Sequence, residues 1–225
     1  MAGTRGRRPA AESEARASLL TVARDLFARQ GFAATSTRQL AAASGQNICL
    51  ISYYFGGKAG LYRAVLDGIN DKHLAIVERT FGTSVASAAE FAGQVRAYVE
   101  AMLGLAVDDP AFFGLSQQVT QETPGPADDG RFDELKVRHL QGIAHALAAA
   151  RAAGHLDFPE DPLMVATLIV GFVRQQVRSD ATKQRLIGLT IRSHAHRQEL
   201  ATMLARTLIH GIGVPSSQTH PLHER

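Results

Sequence analysis

Between Gly45 and Lys58 the chain gathers side chains that read rather than react. Gln46 and Asn47 offer amides, Ser52, Tyr53 and Tyr54 offer hydroxyls, and Cys49 and Leu50 offer small apolar surface. Amides and hydroxyls hydrogen-bond base edges and apolar groups meet thymine methyls, so this is the chemistry of a major-groove surface. Nothing comparable points to catalysis. The sequence holds no nucleophile elbow, no phosphate-binding glycine loop and no carboxylate–histidine metal motif. His194 and His196 lack further ligands nearby and are read as polar surface.

For these groups to share one surface, the run 48–55 must be helical. Taken alone it is β-branched, aromatic and apolar enough for a buried strand, but no second strand-like run is available to pair with it. At 100° per residue, Ile51, Phe55, Ile48 and Ser44 share one face while Gln46, Cys49, Leu50 and Tyr53 lie opposite, flanked by Asn47, Ser52 and Tyr54. The first face is expected to pack inward and the second to face solvent.

The surrounding punctuation is helical. No proline occurs between Pro9 and Pro110, and the eight prolines mark the edges of long periodic segments, which predicts an all-α fold. Leu19, Val22, Ala23, Leu26 and Phe27 recur at three- and four-residue spacing and predict a first amphipathic helix over 11–30, stopped at Gly31. Thr35, Ser36 and Thr37 can cap a second helix over 38–44, and a third over 46–55 runs to Gly56 and Gly57. Two short helices across a glycine turn outline a helix-turn-helix inside an N-terminal three-helix bundle. From Lys58 a long periodic segment continues to Val77, followed by expected helices at 88–107, 110–121, 131–153, 160–178 and 196–212. Residues 122–130 read as a loop and 179–195 as ambiguous. The expected organisation is a flexible basic arm over 1–10, a reading domain over 11–57, a larger helical domain over 58–213 and a disordered tail over 214–225.

Charge follows the same division. The chain of 225 residues has a formal net charge of +3, yet residues 1–63 carry nine basic and three acidic side chains and the remainder carries 15 basic and 18 acidic. A basic end suits an anionic partner such as nucleic acid. The arm Arg5-Gly6-Arg7-Arg8-Pro9 reads either as a groove-entering arm or as a flexible terminus. The single cysteine excludes an internal disulfide and fits a reducing cytoplasm. The basic start leads into Glu12, Ser13 and Glu14 rather than an apolar run, and the longest apolar stretch, 163–173, is about half a membrane span. Neither export nor a membrane partner is expected, nor any cofactor or metal.

The run from Thr37 through Gly45-Gln46-Asn47-Ile48 and Ile51-Ser52-Tyr53-Tyr54-Phe55-Gly56-Gly57-Lys58 to Leu61-Tyr62 resembles the DNA-binding domain of the TetR family of transcriptional regulators, most closely its CecR-type subgroup. The resemblance is strong over about 60 residues. It implies that Leu50 and Tyr53 contact bases with Cys49 beside them, that Arg38 reaches a guanine or a phosphate, and that Tyr54, Lys58 and Thr37 contact phosphates. Ser52 stands where the family commonly has tyrosine, and Leu50 replaces a frequent threonine.

The resemblance further implies that the larger domain binds a small-molecule effector and pairs with a second copy. Phe112, Phe113, Gln117, Gln118, Gln121, Arg138, His139, Arg174, Gln175 and Gln176 mix aromatic walls with polar ends and are the candidate effector contacts, each with a surface or core reading beside it. Leu163, Met164, Val165, Leu168, Ile169, Val170, Phe172, Val173 and Val177 cover nearly every face of their helix, and Leu200, Met203, Leu204, Leu208 and Ile212 form a stripe. Together they are expected to build a four-helix dimer interface, the alternative being an internal core. The function expected is a ligand-responsive regulator, a repressor released from a palindromic DNA operator, and not an enzyme. A helical-bundle enzyme with an incidental helix-turn-helix and a constitutive architectural DNA-binding protein are the other two readings.

Overall fold

Helix ends in this chain are set by short capping devices, and these decide where the reading surface begins. The computed structural model describes residues 7–82, 84–111, 113–115 and 131–210, with side chains placed for 11–82, 84–111, 113–115 and 137–210. Among them every regular element is a helix, as the proline spacing predicts. In chain order these are α1 (Arg7–Ala34), α2 (Thr37–Ser44), α3 (Cys49–Phe55), α4 (Lys58–Phe81), α5 (Ala88–Asp108), α6 (Arg131–Ala152), α7 (Pro162–Ile187) and α8 (His194–His210). Residues 110–111 and 113–115 are also helical. The loop expected at 122–130 and the tail at 214–225 lie outside the described residues.

Two compact units divide the chain. The first comprises residues 1–74 and 108–138, the second 75–107 and 139–225. The expected boundary at residue 57 falls short because α4 is one continuous helix whose first half supplies Leu61, Tyr62, Val65, Leu66 and Ile69 to the core of the first unit. Leu19, Ala23 and Phe27 of α1, Leu40 of α2 and Ile51 of α3 are buried in the same unit, each no more than about a tenth exposed. Burying each large apolar side chain contributes roughly 1.5–3 kcal/mol, enough to hold the two short helices α2 and α3, which could not be helical alone. Phe27, Phe32 and Tyr62 add a ring cluster, with Phe27 edge-on to Tyr62 at 5.0 Å.

The α1 helix starts at Arg7, so the last four residues of the expected arm are already helical, and Gly31 breaks it at φ 76° where the sequence places a stop. On the return of the chain, Asp109 accepts from Arg24 Nη1 at 2.7 Å and Lys72 Nζ at 3.2 Å, tying the segment after α5 to α1 and α4 within the first unit.

In the second unit the core is built from Phe91, Val95, Tyr98, Val99, Met102 and Leu103 of α5, Ile143 and Leu147 of α6, and Ala166, Ile169, Val170 and Val173 of α7. The α7 helix starts on an Asp161 cap with Pro162 in its first turn and runs nine residues beyond the expected stop at 178. No Gly or Pro interrupts the chain from there to Gly188, whose φ of 71° ends it. Asp180 then holds the following turn by accepting from Ile191 N at 2.7 Å and Thr190 Oγ1 at 3.2 Å.

Candidate nucleic-acid interface

The α2–turn–α3 segment is fixed by caps at both of its joints. Ser36, not Thr37, caps α2: its hydroxyl accepts from Gln39 N at 3.2 Å while Gln39 Oε1 accepts from Ser36 N at 2.8 Å, a reciprocal capping box. Gly45 leaves α2 in the left-handed region, φ 66°, and its N–H reaches the carbonyls of Ala41 and Ala42. A side chain there would be strained by its own backbone, so the sharp turn depends on glycine. At the far end Gly60 is required for another reason: a Cβ would stand 1.7 Å from the Phe55 carbonyl oxygen.

The reading helix begins later than the sequence predicts. Its first residue is Cys49, and Asn47 Oδ1 accepts from Cys49 N at 2.8 Å, so one end of the Asn47 amide is spent on capping and its NH2 remains able to donate outward. Gln46 lies in the turn, half-buried, with Nε2 turned toward the Ser44 carbonyl at 3.5 Å. Ile48, expected inward, is 42% exposed, because it precedes the first turn and so escapes the helical face that carries Ile51 inward. Ile51 is buried as expected, and Phe55 is half-buried beneath the Arg16 guanidinium at 5.3 Å.

The outward surface is led by Tyr53, which is 73% exposed and has its ring edge-on to Tyr54 at 5.0 Å. Asn47, Cys49 and Ser52 are exposed around it, and Leu50 and Tyr54 are half-buried. Arg38 is exposed in the first turn of α2, and Thr37 beside it is half-buried. Amide, hydroxyl, thiol and phenol groups thus share one side of a short helix, the size and chemistry a major groove admits.

Lys58 corrects an expectation. Its ammonium points into the unit, donating to the carbonyls of Phe32 at 2.9 Å and Thr35 at 2.8 Å and lying 4.2 Å from the centre of the Phe32 ring. A cation at the carbonyl end of α1 is favoured by the helix dipole as well as by the two bonds. The lysine therefore staples α4 to the end of α1 rather than presenting its charge to a phosphate.

Of the candidate effector contacts, Phe112, Gln117 and Gln121 lie outside the described residues, as does Gln118. Phe113 is buried in the first unit, and Arg138 is exposed. His139 and Arg174 belong to the second unit, where His139 meets a residue that periodicity alone does not single out. Tyr98 Oη lies 2.9 Å from His139 Nε2, with both side chains buried. Burial, and then the nearby positive charge of Arg174, push His139 down to about 4. Burial raises Tyr98 above the ordinary phenol range, and Arg174 opposes that rise. Arg174 itself is lowered, first by burial. The signal that could have found Tyr98 is its place on the apolar stripe of α5, between Val95 and Met102, where a hydroxyl needs a partner when buried.

The expected dimer residues also separate. Ile169, Val173, Leu200 and Leu204 are buried against the chain's own elements and serve its core, while Phe172 and Leu208 are half-buried and Ile212 lies outside the described residues. Leu163 remains 44% exposed, joined by Met164 and Leu168 of α7 and Met203 of α8. The all-round apolar pattern of α7 thus splits into an inward face and an uncovered one. Among the described residues no helix is long and apolar enough to cross a membrane, and no group of His, Cys, Asp and Glu is arranged to hold a metal.

Comparison with known proteins agrees with this geometry. Residues 19–65 match the family model for bacterial regulatory proteins, tetR family. Over 68 residues, 30% of this chain and 36% of the relative, the chain is 44% identical to the HTH-type transcriptional repressor Rv3405c of Mycobacterium tuberculosis. Over 58 residues, 26% of each protein, it is 45% identical to the HTH-type transcriptional dual regulator CecR of Shigella flexneri. The matches span about a quarter to a third of the length of these relatives. Among solved structures, the TetR family transcriptional regulator PfmR from Thermus thermophilus superposes with a TM-score of 0.65 at 18% identity, covering 96% of this chain and 100% of that one. The regulator FadR from Bacillus subtilis, in complex with stearoyl-CoA, gives 0.67 at 14% identity over 87% and 98%. At such identities the likeness is one of fold. The capped helix-turn-helix lies within the segment that matches the tetR family of bacterial regulatory proteins, and the chain as a whole shares the all-α architecture of these solved regulators.

Proposed function

We propose that this protein is a homodimeric, sequence-specific DNA-binding transcriptional regulator, a repressor that a small molecule releases from a near-palindromic operator. The observation that carries the reading is Tyr53, a phenol left 73% exposed at the centre of a polar face on a helix capped at both ends. A large ring held out on a short helix forgoes burial and keeps only its edge-on contact with Tyr54, whereas in a groove it would meet base edges. The repressor named among the relatives supports the sign of control, and the stearoyl-CoA complex of a fold neighbour supports an effector with an apolar body in the helical second unit. The mechanism is a shift of populations: a dimer must hold its reading helices about 34–36 Å apart to meet successive major grooves, and an effector that favours another separation lowers operator affinity.

Selection of bound duplexes from a random pool supplies the operator and tests its symmetry. On the selected site Tyr53→Ala is expected to cost roughly 1–3 kcal/mol, with little change on random DNA. Equal losses on both would remove Tyr53 as a base reader.

The second copy is expected on the uncovered face of α7 and α8. Met164 and Leu168 are 63% and 65% exposed and Leu163 and Met203 lie near 44%, and exposed large apolar side chains of this kind suit an interaction surface. Light scattering should report twice the chain mass of 24.2 kDa, and Leu168→Glu should give a folded monomer. A wild-type monomer at micromolar concentration would sink the dimer. Leu204 is unsuitable for this test, since a charge there enters the protomer's own core.

A further inference from the structure

The segment that periodicity leaves ambiguous, 179–195, closes α7 in a tip that exposes what such turns ordinarily cover. Gly188 stops the helix, and a helix ending this way commonly folds the next apolar side chain back on its last turn. The positions that would receive it are Gln184 and Lys183, both polar, and Leu189 stays 43% exposed, with Leu186 at 71% and Ile187 at 63%. The turn itself is firmly held. Asp180 accepts from Ile191 N and Thr190 Oγ1, and Arg197 Nη1 donates to the carbonyls of Ile191 at 2.7 Å and Arg192 at 3.2 Å, with the Ile191 side chain buried.

Cations share this tip. Residues 178–199 carry five basic and two acidic side chains, against ten and 16 in the rest of the chain after residue 63. Both carboxylates are engaged, Asp180 in the turn and Glu199 with His196 at 3.3 Å. Among the described residues no carboxylate lies within ion-pair distance of Arg178, Arg185 or Arg192, and all three are exposed. The tip also stands apart from the side chains assigned above to the second copy, since Leu186 lies about 27 Å along α7 from Leu168.

We propose that this tip is a docking surface for an acidic amphipathic helix of another protein, a reading independent of operator and effector. Several anionic partners would meet the arginines, and the apolar side chains decide among them. Duplex DNA supplies phosphates but no cover for Leu186 and Ile187. An anionic bilayer supplies both, but a segment lying on it anchors through a broad apolar face, commonly with aromatic rings, and residues 178–199 contain no Phe, Tyr or Trp. The same tip on a second copy would set like charges against each other. A helix with leucine-type side chains at three- and four-residue spacing covers the exposed trio, and carboxylates beside them match the arginine forks. The surface is small, so the affinity expected is weak, on the order of 10–100 µM.

Fluorescence anisotropy on the full-length protein tests this with a labelled peptide of about 16 residues, leucines on one helical face and glutamates elsewhere. The controls are the same peptide with glutamine for glutamate, and one of identical composition in shuffled order. The wild type should bind the first peptide about tenfold more tightly than either control. Leu186→Ser with Ile187→Ser, and separately Arg185→Gln with Arg192→Gln, should each weaken binding about tenfold at unchanged melting temperature. Arg79→Gln, at an exposed cation of α4, should leave it unchanged. If the serine pair does not fold, the arginine pair decides alone. Phosphatidylserine vesicles, a random duplex and light scattering, run beside the peptide, identify the other occupants. The proposal is overturned if the first peptide does not bind, if the shuffled peptide binds as well, or if a folded paired variant keeps wild-type affinity. It is equally overturned if vesicles or DNA bind through these residues while the peptide does not, or if the serine pair turns a dimeric wild type into a monomer.

Discussion

Lys58→Ala destabilises the first unit by roughly 2 kcal/mol and leaves the salt dependence of DNA binding unchanged. The first half follows from the contacts. Two carbonyls, of Phe32 and Thr35, accept from one ammonium that also lies over an aromatic ring. Hydrogen bonds to a charged group contribute about 1.5–3 kcal/mol each when buried, and the partial exposure of this lysine reduces that sum. The second half follows from direction, because a charge satisfied inward releases no counterion when DNA binds. Urea unfolding measures the stability, and DNA titrations across a range of salt measure the slope. A slope flatter by about one with unchanged stability would restore Lys58 as a phosphate ligand.

Acid weakens the second unit through His139. Its ordinary value of 6.5 is lowered to about 4 in the folded chain, so the unfolded chain takes up the proton first as pH falls. The stabilisation is therefore complete above pH 6.5, declines between 6.5 and 4, and is lost below. Its full size is about 3 kcal/mol, since each tenfold drop in the proton affinity of the folded chain is worth roughly 1.4 kcal/mol. Among the groups that bear on His139 are Tyr98, which stays neutral through this range, and Arg174, which stays charged. Carboxylates elsewhere add their own acid dependence, so the quantity to read is the wild type minus His139→Gln. That difference should shrink toward acid between pH 7.5 and 4 in denaturant titrations, and a difference constant with pH would show that His139 is not desolvated as described.

Both predictions depend on features of unequal legibility. The helix-turn-helix can be read locally because its joints are written in residues that act on their own backbone: Gly45 and Gly56 in the left-handed region, a hydroxyl run before α2, and an apolar period through α1. Periodicity also places Ile51 inward. It fails at Ile48, where the helix has not yet begun and no face is defined. Lys58 escapes a local reading because its partners lie 23 and 26 residues earlier, and only the packing of α4 on α1 brings them within reach. Tyr98 and His139 are 41 residues apart on separate helices, and neither sequence neighbourhood announces the other. The apolar run in α7 is visible, but a pattern covering all faces does not say which face the chain itself covers and which it leaves to a partner.

The brevity of α3 has a bearing on how such a chain can change its address. Of its seven residues only Ile51 is buried, and its ends are held by the Asn47 amide and the Gly56 turn. The scaffold thus makes few demands on the letters of its own reading helix. On the proposed reading, exchanges at Cys49, Ser52 or Tyr53 would alter what is recognised at little expense to folding, while Ile51 and the two joints stay under constraint. Novelty in target choice and conservatism in architecture are therefore assigned to different positions within a single two-turn helix.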